Sequence, residues 1–394
     1  MSPNSAVRAY AMTRERIDTH SHYPGSVLDV RALAQSYAHL STTQQLTDSR
    51  MAAAGCRRLY GVDPGPYLQP DAPEELFARA EAVHAGGARP LFELALDTAR
   101  ITTQLAFTDH HPEKSLLREY APRVWLIPYI DELVAGDPFA YCPDGQEQPF
   151  CYYDTLCQLL GPLPSLDAYL DALDERVNSW RSAGAVAAKT AMAYTTGLHF
   201  DDPSLAEARQ AFAHRQTMSR ADQKAVQDMA FRHILLACQR NGLPIIIHTG
   251  FLIWGHGDLA QSNPMLLHPL LVDRRYRDLT FVLLHGGNPY VGETTYLAGM
   301  FPRVYIDFTW ICWLTPTRFR AALAEWLEAV PHERICWGSD TGTPECIVGI
   351  DELVRTQIAD VLEESIGHGT LDEKTALAFL NCAYETTARS LFGL

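Results

Sequence analysis

Eight short runs of β-branched or aliphatic residues punctuate this chain, and longer stretches patterned as helices lie between them. That alternation constrains the fold more than any other feature, because strand–helix–strand repeats lay their strands parallel and bury them on both faces. The expected strands are Arg16–Thr19, Ile101–Phe107, Val124–Ile130, Val186–Ala191, Pro244–Ile247, Leu279–Leu284, Val304–Phe308 and Arg334–Trp337. Expected helices include Ser165–Ser182, Ser219–Asn241 and Thr317–Val330. In the second, Met229, Ile234, Leu235 and Cys238 recur at helical spacing, and Gly242 with Pro244 stops it. In the third, Phe319, Leu323 and Leu327 repeat every four residues and Pro331 ends the run. Eight such units predict an α/β fold, a (β/α)8 TIM barrel, as one domain over residues 1–394; barrels of this kind use such a length as a single unit.

Two regions exceed a minimal barrel. Residues Val30–Ala99 read as several helices, Ala72–Ala85 among them, so a helical insertion is expected after the first strand, over about residues 30–100. Cys56–Val62 could instead be a strand. Gly136–Pro164 is rich in Pro, Gly, Tyr and Cys and is expected to be a long loop after the third strand, where barrel loops shape substrate pockets.

A hydrophobic content of 47% with 20% charged residues is that of a globular chain. The formal net charge of -15 argues against nucleic acid or anionic lipid as a partner, since both are polyanions. No apolar run approaches the ~18 residues that cross a bilayer, and the first twenty residues lack the apolar segment of a secretory signal, so a cytoplasmic protein is expected. Nine cysteines without a C-x-x-C pair favour reduced, structural thiols. The expected partner is a small-molecule substrate; self-association is left open.

Chemistry concentrates at strand ends. In Ile17-Asp18-Thr19-His20-Ser21-His22, alternate residues of an extended strand face one way, so both imidazoles can reach one metal ion. His248 in Ile247-His248-Thr249-Gly250 and His285 in Leu284-His285-Gly286-Gly287 each end a buried-type strand. Either alone is more often a satisfied core residue; two in one context, on the carboxyl side of successive strands, point to a site. Ile335-Cys336-Trp337-Gly338-Ser339-Asp340-Thr341-Gly342 places a carboxylate in a Gly-bounded turn. Its Asp340-Thr341-Gly342 also matches the D-T-G of aspartic proteases, but that chemistry needs two carboxylates sharing a proton in a β-rich fold. Lys189 lies inside the apolar run Val186-Ala187-Ala188-Lys189-Thr190-Ala191-Met192, where a charged amine needs a partner or a depressed pKa. A neutral amine there can take up carbon dioxide as a carbamate, a negative ligand able to bridge two metals; a lysine whose head reaches solvent or an acid is the structural alternative.

The order H-x-H, K, H, H, D on strands one, four, five, six and eight resembles the amidohydrolase superfamily over nearly the whole chain. Within it the sequence is similar to the amidohydrolase-2 family, and most to the FluG/nodulin-like branch, in which such a domain can be fused to a glutamine-synthetase-like one. Supporting that branch are His248-Thr249-Gly250, Asn263-Pro264-Met265-Leu266-Leu267-His268-Pro269, Val304-Tyr305-Ile306-Asp307-Phe308, Trp337-Gly338-Ser339-Asp340, Ala193-Tyr194 with Gly197-Leu198, and the helical insert. No glutamine-synthetase-like domain is expected after Leu394.

The resemblance implies that His20, His22 and Asp340 bind a first metal, that His248 and His285 bind a second or orient substrate and water, and that Lys189 bridges as a carbamate. Zinc is the implied ion, with manganese as the alternative, and one or two ions are allowed. Asp18 stays open between a ligand, as in the family's decarboxylases, and a structural group, as in its hydrolases. Candidate substrate contacts in the loops after strands are Asp109, His110, Tyr194, Trp254, Asp258, Asn263, Trp310 and Glu345. The implied reaction is hydrolysis of a C–N bond of a small polar or carboxylate-bearing amide, with Asp340 taking the water proton and passing it to the leaving nitrogen. His248 or His285 would help stabilise the oxyanion. Two alternatives use the same residues: a single-metal decarboxylase or an enzyme similar to uronate isomerases, and a non-catalytic binding barrel that assembles with glutamine-synthetase-like partners.

Overall fold

The structure, a computed structural model, describes residues 5–22, 29–135, 152–253 and 257–394. Each expected strand forms: β1 (Arg16–Ser21), β2 (Ile101–Thr108), β3 (Val124–Pro128), β4 (Ala188–Thr190), β5 (Ile245–Ile247), β6 (Phe281–Leu283), β7 (Val304–Asp307) and β8 (Ile335–Cys336). They pair in parallel in chain order, as β1-β2-β3 and β4-β5-β6-β7-β8. Two junctions close the ring. β3 meets β4 through the bridges Leu126 to Ala185 and Tyr129 to Lys189. β8 meets β1 where the Thr19 N–H donates to the Trp337 carbonyl at 3.0 Å and the Asp340 N–H to the His20 carbonyl at 2.7 Å. The outcome is a (β/α)8 barrel.

Helix α1 (Ala6–Thr13) precedes the barrel, and α2 (Val30–Ser36), α3 (Thr43–Tyr60), α4 (Glu74–His84) and α5 (Ala88–Thr98) fill the β1–β2 connection. Cys56 to Tyr60 is the last turn of α3 and not a strand; Gly61, at φ 69°, ends it in the left-handed conformation that glycine adopts without a Cβ clash. After β3 come α6 (Asp131–Ala135), α7 (Tyr152–Leu160) and α8 (Leu166–Ser182), then α9 (Leu205–Ala213) and α10 (Arg220–Arg240) between β4 and β5. The expected loop over 136–164 is therefore corrected at its end. Leu156 buries completely and the Tyr153 hydroxyl donates to the Leu163 carbonyl, which anchors α7 as a helix; residues 136–151 lie outside the described residues. α10 starts on a reciprocal cap between Ser219 and Asp222, the signal its sequence carries. The remaining helices are α11 (His268–Leu271), α12 (Val291–Met300), α13 (Ile311–Leu314), α14 (Pro316–Ala329), α15 (Pro344–Gly367), α16 (Glu373–Asn381) and α17 (Thr387–Phe392). Among the described residues, no helix is long and apolar enough to cross a membrane.

Strand residues sort into two cores. Ile17, Leu105, Ile127, Ile246 and Val282 form an inner cluster with Ala388 and Phe392, so α17 packs into the barrel's interior. Ile245, Ile247, Phe281 and Leu283 face the outer core. Lys189 pairs with Ile246, and Ile246 with Val282. Residues paired across a sheet share a face, so Lys189 points into the barrel.

The insertion is docked backbone to backbone. A Cβ on Gly55 of α3 would lie 1.8 Å from the Glu345 carbonyl oxygen, and one on Gly349 of α15 would lie 1.9 Å from the Met51 carbonyl oxygen. Only glycine permits that approach, and it holds α3 against the start of α15, beside the turn that carries Asp340.

Candidate metal centre

The carboxyl ends of β1, β5, β6 and β8 deliver four imidazoles and one carboxylate to a common point. His20 is buried and His22 is half-exposed, and their Nε2 atoms stand 2.9 and 2.8 Å from the same Asp340 Oδ1. That oxygen is buried yet accepts no hydrogen bond among the described residues. Ligand atoms of His20, His22 and Asp340 all lie within 4.8 Å of one another. Asp340 Oδ2 faces the other side, 4.0 Å from His285 Nε2. His285 Nε2 in turn lies 3.1 Å from His248 Nδ1. His248 Nε2 is 2.9 Å from the Phe251 carbonyl, which can only accept; Nε2 therefore carries the proton, and the Nδ1 lone pair faces His285.

Three of the residues that shape this point sit in left-handed backbone although none is glycine: His285 at φ 64°, Trp310 at φ 63° and Asp340 at φ 50°. Such residues rarely adopt it, and those that do cluster at functional sites. The turns after β6, β7 and β8 thus aim these side chains inward. Trp310 stacks on His285 at 4.2 Å between ring centroids, and Tyr194 packs against His248 at 4.6 Å.

Burial holds the imidazoles neutral: His20 is lowered to about 4 and His248 to about 3, and His285 lies well below its ordinary range. Burial alone would raise Asp340, but His20 and His22 hold it well below the usual carboxylate range. Neutral imidazoles around an ionised carboxylate are the donor set that zinc or a similar divalent ion takes. The orphaned Asp340 Oδ1 supplies the same indication, so the residues fit a metal ion.

Lys189 is buried, with its Nζ 4.8 Å from the centroid of the Phe107 ring. Burial lowers its amine to about 8, against the partial opposition of Asp340, Asp131 and Asp307. Asp18 resolves differently. Its Oδ1 accepts the His20 N–H at 3.2 Å and the Ser339 N–H at 2.8 Å, and its Oδ2 accepts the Gln104 amide at 2.8 Å and the Ser339 hydroxyl at 2.6 Å. A carboxylate offers about four acceptor positions. All are spent on tying β1 to β2 and β8, so Asp18 is structural.

The expected substrate contacts scatter. Trp310 lines the pocket over the metal point, and Tyr194 borders it, its hydroxyl accepting from the Ile253 N–H at 3.3 Å. Glu345 is 1% exposed, with Oε1 2.5 Å from the Tyr60 hydroxyl and 3.4 Å from His84, so it faces the insertion. Asp258 and Asn263 cap short helical turns by accepting from Ala260 and Met265. Asp109 is exposed and accepts from the His111 N–H. His110 is buried against Glu132. Trp254 lies outside the described residues.

Sequence reasoning missed the insertion's share of the pocket. A cavity of about 270 Å³ reaches from His22 and Asp340 to Gln44 and Asp48 of α3, with Tyr37, Trp310 and Trp313 as aromatic walls. The signal available was slight: two polar residues four apart in the polar first half of a helix whose second half is apolar.

Comparison with known proteins extends these observations. Residues 218–394 match the family model described as amidohydrolase. The FluG protein of Emericella nidulans is 30% identical over 168 residues, covering 39% of this chain and 19% of that protein, so the match spans about a fifth of that relative's length. A protein named as a metal-dependent hydrolase from Lactobacillus casei superposes with a TM-score of 0.71 at 18% identity, covering 98% of this chain and 97% of the other. Uronate isomerase from Thermotoga maritima superposes with a TM-score of 0.72 at 13% identity, covering 98% and 96%. At such identities the structural likeness establishes the fold, and the activity has to be argued from the site. Residues 218–394 are thus similar to the amidohydrolase family, and the chain carries the barrel fold of these metal-dependent-hydrolase and isomerase structures.

Proposed function

We propose that this protein is a metal-dependent hydrolase that cleaves the C–N bond of a small amide. The carrying observation is the convergence of His20 and His22 on one oxygen of Asp340 while the other oxygen faces His285, which in turn meets His248. One carboxylate serves both halves of the site, as a group that holds an ion on one side and moves a proton on the other would.

His20, His22 and Asp340 would hold the first ion, and Lys189, His248 and His285 are the remaining donors for a second. A divalent ion so held supplies Lewis acidity and lowers the pKa of its water from 15.7 toward about 7. Asp340 accepts one proton from the attacking water and returns it to the leaving nitrogen, so that amide and water become carboxylic acid and amine. His248, with its proton fixed on Nε2, orients His285 beside the reacting carbonyl. Trp310 and Tyr194 keep both rings in place and exclude water.

One observation favours hydrolysis over decarboxylation. The acceptor positions of Asp18 are all filled, which removes it as the extra ligand of a decarboxylase.

The test is amine release from a panel of small amides by zinc-loaded and manganese-loaded protein, with Asp340→Asn alongside. Wild type is expected to turn over at least one class, and the variant to stay folded and lose ~10²-fold or more, the scale of losing general acid–base assistance. Carbon dioxide release or a mass-neutral product from the same panel would replace this reading; unchanged turnover in the variant would remove the role of Asp340.

A further inference from the structure

Asp48 is anomalous for a carboxylate in such a place. It lines the same pocket as His22 and Asp340, and among the described residues it forms no ion pair. Its oxygens receive one amide only, from Gln44 Nε2 at 2.9 and 3.1 Å. Gln44 Oε1 is itself buried without a donor. Desolvation, with the charge of Asp340 adding to it, pushes the Asp48 carboxyl up to about 7, against the stabilising hydrogen bond from Gln44. Asp48 is partly buried, and a carboxylate shielded from much of its water is ordinarily paired. The nearby cation on the same helix, Arg50, donates to the Trp313 carbonyl.

The pocket thus has a metal-binding end and, across aromatic walls, an end of unfilled acceptors. A carboxylate guest would meet ionised Asp48 as a like charge and bind only at the cost of protonating it. A neutral apolar guest would strip water from Asp48 and Gln44 and return nothing. An ammonium group supplies up to three donors and a positive charge, and the faces of Trp310, Trp313 and Tyr37 attract organic cations. The protein's charge of -15 draws such a molecule in.

We infer that the substrate is an amide whose far end carries a protonated amine, and that Asp48 with Gln44 is the specificity site receiving it. This rests on the reading of the pocket as the hydrolase's substrate site, and it narrows the substrate to cationic amides. The insertion then has a function: α3 brings the charge that selects.

The experiment is titration of zinc-loaded protein, by calorimetry or through KM where the amide is turned over. The probes are ω-amino amides with about two to five methylenes between the groups, beside uncharged alkyl amides and ω-carboxy amides of matched length. The best amino amide is expected to be favoured at least ~10-fold over its uncharged match, the scale of one charge-assisted hydrogen bond. Asp48→Asn is expected to bring that ratio within ~3-fold while zinc content and melting temperature stay as in wild type. Equal affinities, a preference for carboxy amides, no binding by any probe, or a preference that survives Asp48→Asn each overturn the inference. Should the variant not fold, the wild-type ratios decide alone. The two readings separate cleanly: amine preference without hydrolysis spares the specificity site and sinks the reaction, whereas hydrolysis without amine preference does the reverse.

Discussion

Lys189 is where burial and charge conflict most directly. In the metal-free protein its folded-state pKa is lowered by burial from 10.5 to about 8. Between those values the unfolded chain binds a proton that the native chain does not, so stability rises with pH across the window and the cost is felt in full below about pH 8. At about 1.36 kcal/mol per pKa unit, that cost is on the order of 3 kcal/mol. Metal-free Lys189→Met is therefore expected to be more stable than wild type at pH 7, with the difference shrinking as pH approaches 10.5. Parallel stability–pH curves in chemical denaturation would show that the amine titrates normally. Loaded with zinc, the same variant is expected to hold about one ion where wild type holds about two; equal contents would leave Lys189 outside the ligand set. Lys189 was legible in the sequence as a charged residue inside an apolar strand, and His248, His285 and Asp340 were legible at strand ends marked by glycine. Hydrogen-bond partners were not. Asp18 could be assigned only once Gln104 and Ser339 were seen to fill it, and those partners come from β2 and from the turn after β8.

Elements were legible where their pattern is local, and their docking was not. The helical insertion follows from periodicity between Val30 and Ala99, yet nothing local says that α3 lies on α15. That contact depends on Gly55 meeting Glu345 and Gly349 meeting Met51, pairs some 300 residues apart. Glu345 illustrates the consequence. It follows a strand, as a pocket residue would, but it is turned toward Tyr60 and His84 of the insertion. The docking makes a sharp prediction. Gly349→Ala places a Cβ 1.9 Å from a carbonyl oxygen, which neither backbone can relieve without separating the helices. Overpacking of this kind costs about 1–3 kcal/mol, sometimes more. Gly367→Ala, at the end of the same helix and with nothing within 4 Å, is the control and is expected to be neutral. The urea midpoint should fall for the first and hold for the second. Equal midpoints would mean that the insertion is not packed this way, and the Asp48 wall would lose its support.

At the scale of the whole molecule, the candidate ligands span the seam where the barrel closes. His20 and His22 belong to β1 and Asp340 follows β8, so the first and last strands of the ring meet at one point. The seam itself is held by only a few backbone bonds, among them Thr19 to Trp337 and Asp340 to His20. Gly338 packs so tightly there that a Cβ would come within 2.5 Å of the His20 Cβ. An ion shared by His20, His22 and Asp340 would clasp the two ends together, and binding to the native state alone stabilises it by about 2.7 kcal/mol at 100 times Kd. Removing metal with a chelator is therefore expected to lower the melting temperature by several degrees, and adding zinc to restore it. In Asp340→Ala the melting temperature should no longer respond to either treatment. The place of first opening is the finer part of the test. Amide exchange in β1 and β8 should speed up on metal removal, while exchange in β5 and β6, which pair continuously within their sheet, changes less. Uniform loss of protection would mean that the ion stabilises the barrel without clasping its seam. No change in melting temperature would mean that His20, His22 and Asp340 do not hold a metal at all.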